Sequence, residues 1–224
     1  MLTSRLFAAF LFAFVFVAKA GAFNSSPAVS RTSSSLGAFS FLGNFGGGAK
    51  PANNNREKAK QQLLDAIAPV NKGLEATQEQ EAEILALIEK CEKLNPTKRP
   101  LQSPEISAKW ELIYTTSDSI LGKSRPTAFR AKGPIYQTID AVALTARNEE
   151  TIAPLPVISW KNAVDAELTP KSSSFVDVQF KNFYVGFLTI KAPETAKGAL
   201  DTTYLDENMR ISRGDKGNVF VLVK

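Results

Sequence analysis

The densest group of side chains capable of chemistry lies within 200–224: Asp201, Tyr204, Asp206, Arg210, Arg213 and Asp215. A guanidinium meets a carboxylate through two parallel N–H···O bonds, so Arg210 or Arg213 is expected to hold Asp206 or Asp215 and fix a hairpin. The alternative use of the same residues is recognition, with Arg210 or Tyr204 facing a cavity and bonding the polar head of an otherwise apolar ligand. Acid–base catalysis fits less well. Asp201 with Asp206, or Glu149 with Glu150, offers paired carboxylates, but no second reactive cluster converges on either pair. The chain has no histidine, which removes Ser-His-Asp and Cys-His arrangements, histidine metal sites and imidazole proton transfer together. Cys91 is the only cysteine, so neither an intramolecular disulfide nor a cysteine metal cluster can form. Its place in an apolar helical pattern reads as core packing rather than redox sensing. Gly214 and Gly217 belong to a hairpin turn, and the glycines at 46–48 follow no strand, so no phosphate-cradling loop is present. The expectation is a protein with no catalytic residues, no metal and no cofactor.

A second set of candidates is aromatic. Trp110, Tyr114, Phe129, Tyr136, Phe175, Phe180, Phe183 and Phe187 are core by residue type, and a subset would line any ligand cavity. Trp110, Tyr114, Tyr136, Phe180, Tyr204 and Arg210 are taken as the candidate ligand contacts. Alternation does not separate core from lining, because it marks inward residues of a barrel whether the interior is packed or hollow.

The elements that must position these residues are strands. In 109–115, Trp110, Leu112 and Tyr114 alternate onto one face. A second strand is expected over 133–140, and 141–147 either extends it or begins the next. In 175–181, Val176, Val178 and Phe180 alternate with Asp177, Gln179 and Lys181, and 183–190 pairs back onto that strand or follows a bend. Pro154, Pro156 and Pro170 make 157–168 an interrupted or edge strand at best. Met209 and Ile211 alternate with Arg210 and Ser212, Gly214 to Asn218 turns the chain, and 219–223 returns as a strand. Six to nine short antiparallel strands, with no helical pattern of length among them, read as a barrel or sandwich of the mainly β class.

Before this β-domain stand two helical patterns. Leu63, Leu64 and Ile67 sit at helical spacing until Pro69, and Gly73 allows a turn. Thr77 with Gln80 forms a capping box for a helix carrying Ile84, Leu85, Leu87, Ile88, Cys91 and Leu94, which Asn95-Pro96 stops. Helices this short gain their stability by docking, so they pack on the β-domain or plug one end of it. The acids of the second helix, Glu79 to Glu92, oppose an anionic lipid surface.

The first fifty residues read as an address. Arg5 precedes an uncharged run over 6–18, too short to span a membrane, and Ala20-Gly21-Ala22 supplies small residues for cleavage. The Ser- and Ala-rich tract beyond Phe23 has no acid before Glu57, a transit-peptide composition. The expected division is a signal peptide at 1–22, a plastid transit peptide and linker at 23–54, and a domain at 55–224. That domain has a helical lead-in at 55–95 and a β-domain, barrel or sandwich, at 107–224. The formal charge of +5 falls to about +3 once Arg5 and Lys19 leave with the signal. Its cations are scattered among acids, so nucleic acid is not an expected partner.

Three blocks in order resemble the plastid lipid-associated protein (PAP/fibrillin) family: LLDAIAPVNKGLEAT with ILALIEKCEKLNP, then KWELIYTT with the GPIYQTID strand, and the closing LDTTYLDENMRISRGDKGN. Its closing signature corresponds here to Asp201, Tyr204, Leu205, Asp206, Arg210, Arg213, Gly214 and Gly217. The loop 119–132 and the Asn162-Ala163-Val164 region match poorly. The resemblance implies a lipocalin-like barrel closed at one end by the N-terminal helices. It also implies a non-enzymatic plastid protein binding small hydrophobic molecules, such as prenyl quinones, carotenoids or fatty acids, at thylakoids or lipid droplets. Two other readings stay open. One is a coat bound to a lipid surface as a peripheral membrane protein with no internal ligand, and the other is a scaffold subunit for a biosynthetic enzyme.

Overall fold

The computed structural model describes residues 51–224. The expected signal segment, and the expected transit segment up to residue 50, lie outside the described residues. Helix α1 (Pro51–Ile67) reaches back past Asn55, with its proline at the start, where a missing N–H breaks no helical bond. A 3₁₀ stretch, Ala68–Gly73, follows and ends with Asn71, Lys72 and Gly73 at φ values of 46°, 60° and 101°. The chain passes β1 (Lys109–Thr115) so closely here that a Cβ on Gly73 would lie 2.5 Å from the Thr115 carbonyl oxygen. Only glycine combines that approach with that φ.

Helix α2 (Gln78–Lys93) opens with the expected capping box, in which Thr77 Oγ1 accepts from the Gln80 amide at 3.2 Å and the Gln80 side chain accepts from the Thr77 amide at 3.0 Å. Beyond it, the Asn95 side chain donates to the Thr203 carbonyl and accepts from the Leu205 amide, tying the helix exit to the sheet. Two 3₁₀ turns, Pro100–Gln102 and Pro104–Ile106, lead into β1.

The remaining strands are β2 (Tyr136–Asp140), β3 (Thr145–Leu155), β4 (Ile158–Pro170), β5 (Phe175–Val185), β6 (Leu188–Lys191), β7 (Lys197–Leu205), β8 (Met209–Gly214) and β9 (Val219–Val223). All pair antiparallel. Eight close into a barrel in the order β1-β2-β3-β4-β5-β7-β8-β9, and β6 attaches outside that ring to the far part of β5. The mainly β class with two N-terminal helices is therefore as expected. A short helix α3 (Asp118–Leu121) and a 3₁₀ turn, Thr127–Phe129, interrupt the β-domain between β1 and β2.

Three expectations change. The 157–168 segment is neither interrupted nor an edge. It lies in β4, paired with β3 on one side and β5 on the other, because Pro154 and Pro156 fall at the hairpin end and Pro170 is its last residue. Trp110, Leu112 and Tyr114 do not share a face. A register shift against β9 between Leu112 and Tyr114 is a β-bulge, which reverses the alternation beyond it. Trp110 and Leu112 join the interior cluster, and Tyr114 joins the cluster beneath the helices. The helices, finally, do not plug the barrel. Ala59, Leu63, Ile67, Ile84, Ile88 and Cys91 pack on its outer wall against Tyr114, Tyr204, Met209, Ile211, Val219 and Val221. This explains why β8 and β9 are buried on both faces: one faces the barrel interior, the other the helices.

Candidate ligand cavity

The barrel interior holds a cavity of about 130 Å³. Leu112, Ile135, Ile139, Val164, Ala166, Leu168, Val176, Val178, Phe180, Phe220 and Leu222 line most of it. Along β4 alone the lining runs from Val164 to Pro170, about 20 Å of strand at ~3.3 Å per residue, so the lined wall is long. Leu101 and Ile106 of the 3₁₀ turns bound one end and Ile120 of α3 the other. Leu144 also lines the cavity and is 40% exposed, so the lining reaches the surface at the β2–β3 turn.

The end bearing Ile120 is held by a buried polar network. Arg125 donates to Glu150 Oε1 at 3.1 Å, to the Phe129 carbonyl and to the Ser119 carbonyl, while Asn162 Nδ2 also donates to Glu150. Burial raises the Glu150 carboxyl above its ordinary range, opposed by Arg125 and Asn162. Ser119, Arg125, Phe129 and Asn162 come from the two regions that match the family poorly, and Glu150 comes from β3.

One strip of the cavity wall is polar. Arg210 Nη2 donates to Gln137 Oε1, and Gln137 Nε2 donates to Asn148 Oδ1 at 2.8 Å. Ser212 and Thr202 lie beside them in the lining. The Arg210 guanidinium stands 5.2 Å from the Trp110 ring centroid, a cation–π arrangement. Trp110 is itself anchored by Nε1 donating to the Ile106 carbonyl at 3.1 Å. Arg210 is only 1% exposed, and burial pushes its pKa down to about 9. Among the described residues its Nε and Nη1, and the Ser212 hydroxyl, have no hydrogen-bond partner. Among the described residues no aspartate or glutamate lines the cavity.

Of the candidate ligand contacts, Tyr136, Phe180 and Arg210 line the cavity, and Trp110 packs beneath the guanidinium. Tyr114 and Tyr204 face the helices instead. A register shift between Thr202 and Tyr204 turns Tyr204 outward, where its hydroxyl donates to Asp206 Oδ2 at 2.6 Å. Lys60 Nζ reaches the same oxygen at 2.6 Å. Burial alone would raise the Asp206 carboxyl, but Lys60, Tyr204 and the amides of Asn208 and Met209 outweigh it and hold it below its ordinary range. The expected ion pairs within the hairpin are absent among the described residues. Arg213 instead clasps Glu92 of α2 through Nε at 2.8 Å and Nη2 at 2.7 Å, and Asp215 is exposed. Leu205 is buried in the interior cluster, Gly214 packs by Phe220, and Gly217 occupies the β8–β9 turn at φ 75°. Three signature residues, Tyr204, Asp206 and Arg213, thus fasten the helical pair to the barrel. Cys91 is buried there, with its thiol pushed up to about 11 by burial.

Reasoning from sequence missed Gln137, Asn148 and Ser212 as cavity groups. The alternation of Gln137 with Ile135 and Ile139, of Asn148 with Ala146 and of Ser212 with Arg210 was the available signal, and polar residues on a barrel's inner face are readily taken for the outer one.

A second feature lies at the end of the barrel away from the β2–β3 turn. The β3–β4 and β5–β6 hairpins project side by side, joined by the Gly186 amide donating to the Lys161 carbonyl at 3.1 Å. Their tips carry Leu155, Val157, Ile158, Phe187 and Leu188, with Val157 92% and Phe187 96% exposed. Lys132, Lys161 and Lys191 are exposed nearby, and no acid occurs within 151–164 or 178–193.

The family model PAP_fibrillin matches residues 57–223. The chain is 41% identical over 181 residues to probable plastid-lipid-associated protein 5, chloroplastic, of Arabidopsis thaliana, covering 78% of this chain and 73% of that protein. It is 30% identical to the chromoplast-specific carotenoid-associated protein of Cucumis sativus, covering 75% and 67%. It is 28% identical to plastoglobulin-1, chloroplastic, of Pisum sativum, covering 76% and 62%. No solved structure gives a significant match.

Proposed function

Because the chain belongs to the PAP/fibrillin family of plastid lipid-associated proteins, we propose that it is a non-enzymatic carrier that holds a small hydrophobic molecule inside its barrel while associated with a plastid lipid surface. The observation that carries this reading is the apolar cavity with a single polar strip. An apolar interior with a few convergent polar groups is how small-molecule sites are built. Prenyl quinones, carotenoids and fatty acids are the cargo classes consistent with the family. Relatives named for plastoglobules and for carotenoid association support the setting, a thylakoid or lipid-droplet surface.

A second reading rests on the hairpin tips. Large exposed apolar side chains gathered at one place mark interaction sites, and the lysines around this patch complement anionic lipid headgroups. Neither helix of the lead-in is long and apolar enough to span a membrane, so this contact would be peripheral. The two readings are compatible, with cargo inside and docking at the tips.

The deciding experiment for carriage is to incubate the full chain with a total plastid lipid extract, remove free lipid and identify what remains bound by mass spectrometry. One lipid class recovered near stoichiometrically is the expected result. A mixture that tracks the input, or nothing, would refute carriage and leave the surface role.

A further inference from the structure

We infer that the barrel interior is selective for an apolar tail ending in a single carboxylate, with Arg210 as its counter-ion. This rests on the carrier reading and adds the chemistry of the head group.

Three observations carry it. The first is charge. Arg210 is the only charged residue in the cavity wall among the described residues, and a buried ion without a counter-ion pays a desolvation cost that a partner must offset. Trp110 offsets part of it through its ring face, and Gln137 occupies Nη2 alone. The second is unused donor capacity. Nε and Nη1 of Arg210 and the Ser212 hydroxyl have no partner among the described residues, and Arg210 and Ser212 project into the same cavity two residues apart on β8. A guanidinium edge with a hydroxyl beside it suits a carboxylate, which accepts two or three such bonds. A phosphate ester would bring more charge than one guanidinium neutralises, and no lysine lines the cavity. The third is the lining. Along β4 from Val164 to Pro170 every cavity-lining residue is apolar, which suits a hydrocarbon tail behind the carboxylate.

A neutral hydrocarbon or a quinone would leave the guanidinium charge uncompensated. Loading with an ionised acid instead converts the least favourable group of the interior into a charge-assisted bond.

The test compares straight-chain acids from hexanoic to palmitic with their methyl esters and primary alcohols, at matched chain length because the cavity is only about 130 Å³, by competition against a fluorescent apolar probe on the full chain, above neutral pH. The acid is expected to bind about tenfold or more tightly than the ester and the alcohol. Arg210→Met is expected to bring the acid down to the level of the alcohol while leaving the alcohol no weaker, and Arg210→Lys to restore part of the preference. The wild-type comparison needs no variant, so it decides even if Arg210→Met fails to fold. Equal binding of acid, ester and alcohol would overturn the head-group assignment and leave carriage intact. Binding of none of them, with a plastid extract also giving no cargo, would overturn carriage itself.

Discussion

Asp206 shows how a single signature residue is used for architecture. Its Oδ2 receives Lys60 of α1 and the Tyr204 hydroxyl, each at 2.6 Å, and its Oδ1 receives the amides of Asn208 and Met209 at 2.9 and 2.8 Å. One carboxylate thus closes the β7–β8 turn and pins the first helix. A carboxyl whose folded pKa is depressed adds stability above its unfolded pKa, here 3.8, and loses it as pH falls through the folded value. Asp206→Asn is therefore expected to cost about 2–4 kcal/mol at neutral pH, measured by urea denaturation. The gap to wild type should close in strong acid. A pH-independent gap would show that shape rather than ionisation is what the turn requires. Arg210, four residues on in β8, lines the cavity instead, and its Nε and Nη1 have no hydrogen-bond partner among the described residues.

At the scale of elements, the same hairpin separates its two roles by face. Met209 and Ile211 point to the helices and Arg210 and Ser212 to the cavity. The two long hairpins β3–β4 and β5–β6 serve neither end of that division. Their tips contribute almost nothing to the core, since Val157 and Phe187 are more than nine-tenths exposed. Replacing both, Val157→Ser with Phe187→Ser, is expected to leave stability within about 0.5 kcal/mol of wild type. Co-sedimentation with vesicles containing anionic plastid lipid should fall several-fold, and less so at low salt, where the neighbouring lysines, still present, act over a longer range. Unchanged sedimentation would show that another surface meets the lipid.

The whole molecule is a barrel with a helical buttress. The lead-in buries the outer wall of β1, β7, β8 and β9, so the helices and barrel share one core. Deleting 51–95 would bare Tyr114, Tyr204, Met209, Ile211, Val219 and Val221 together, a patch that soluble monomers do not tolerate. The expected outcome in size-exclusion chromatography is aggregation or loss of fold. A monomeric, cooperatively unfolding barrel would mean that the buttress is an accessory.

Local chemistry determined much of this protein before any coordinates. The capping box at Thr77, the stop at Asn95-Pro96, the strand at 175–181 and the terminal hairpin depend on neighbours in sequence, which is why each was legible there. The family resemblance was legible for the same reason, in contiguous blocks. Bulges were not. The register shifts at β1 and β7 are set by a partner strand, and each reverses which face its aromatic residue meets, so Tyr114 and Tyr204 could be assigned only in three dimensions. Ion-pair partners were equally hidden. Arg213 finds Glu92 and Lys60 finds Asp206 across long stretches of chain, because the helices lie on the wall and not across the barrel's end. The cavity, and the solitary guanidinium inside it, exist only because the β4–β5 and β1–β9 pairings close the sheet. Composition specified an apolar interior, and closure decided that the interior is hollow and which polar groups face it.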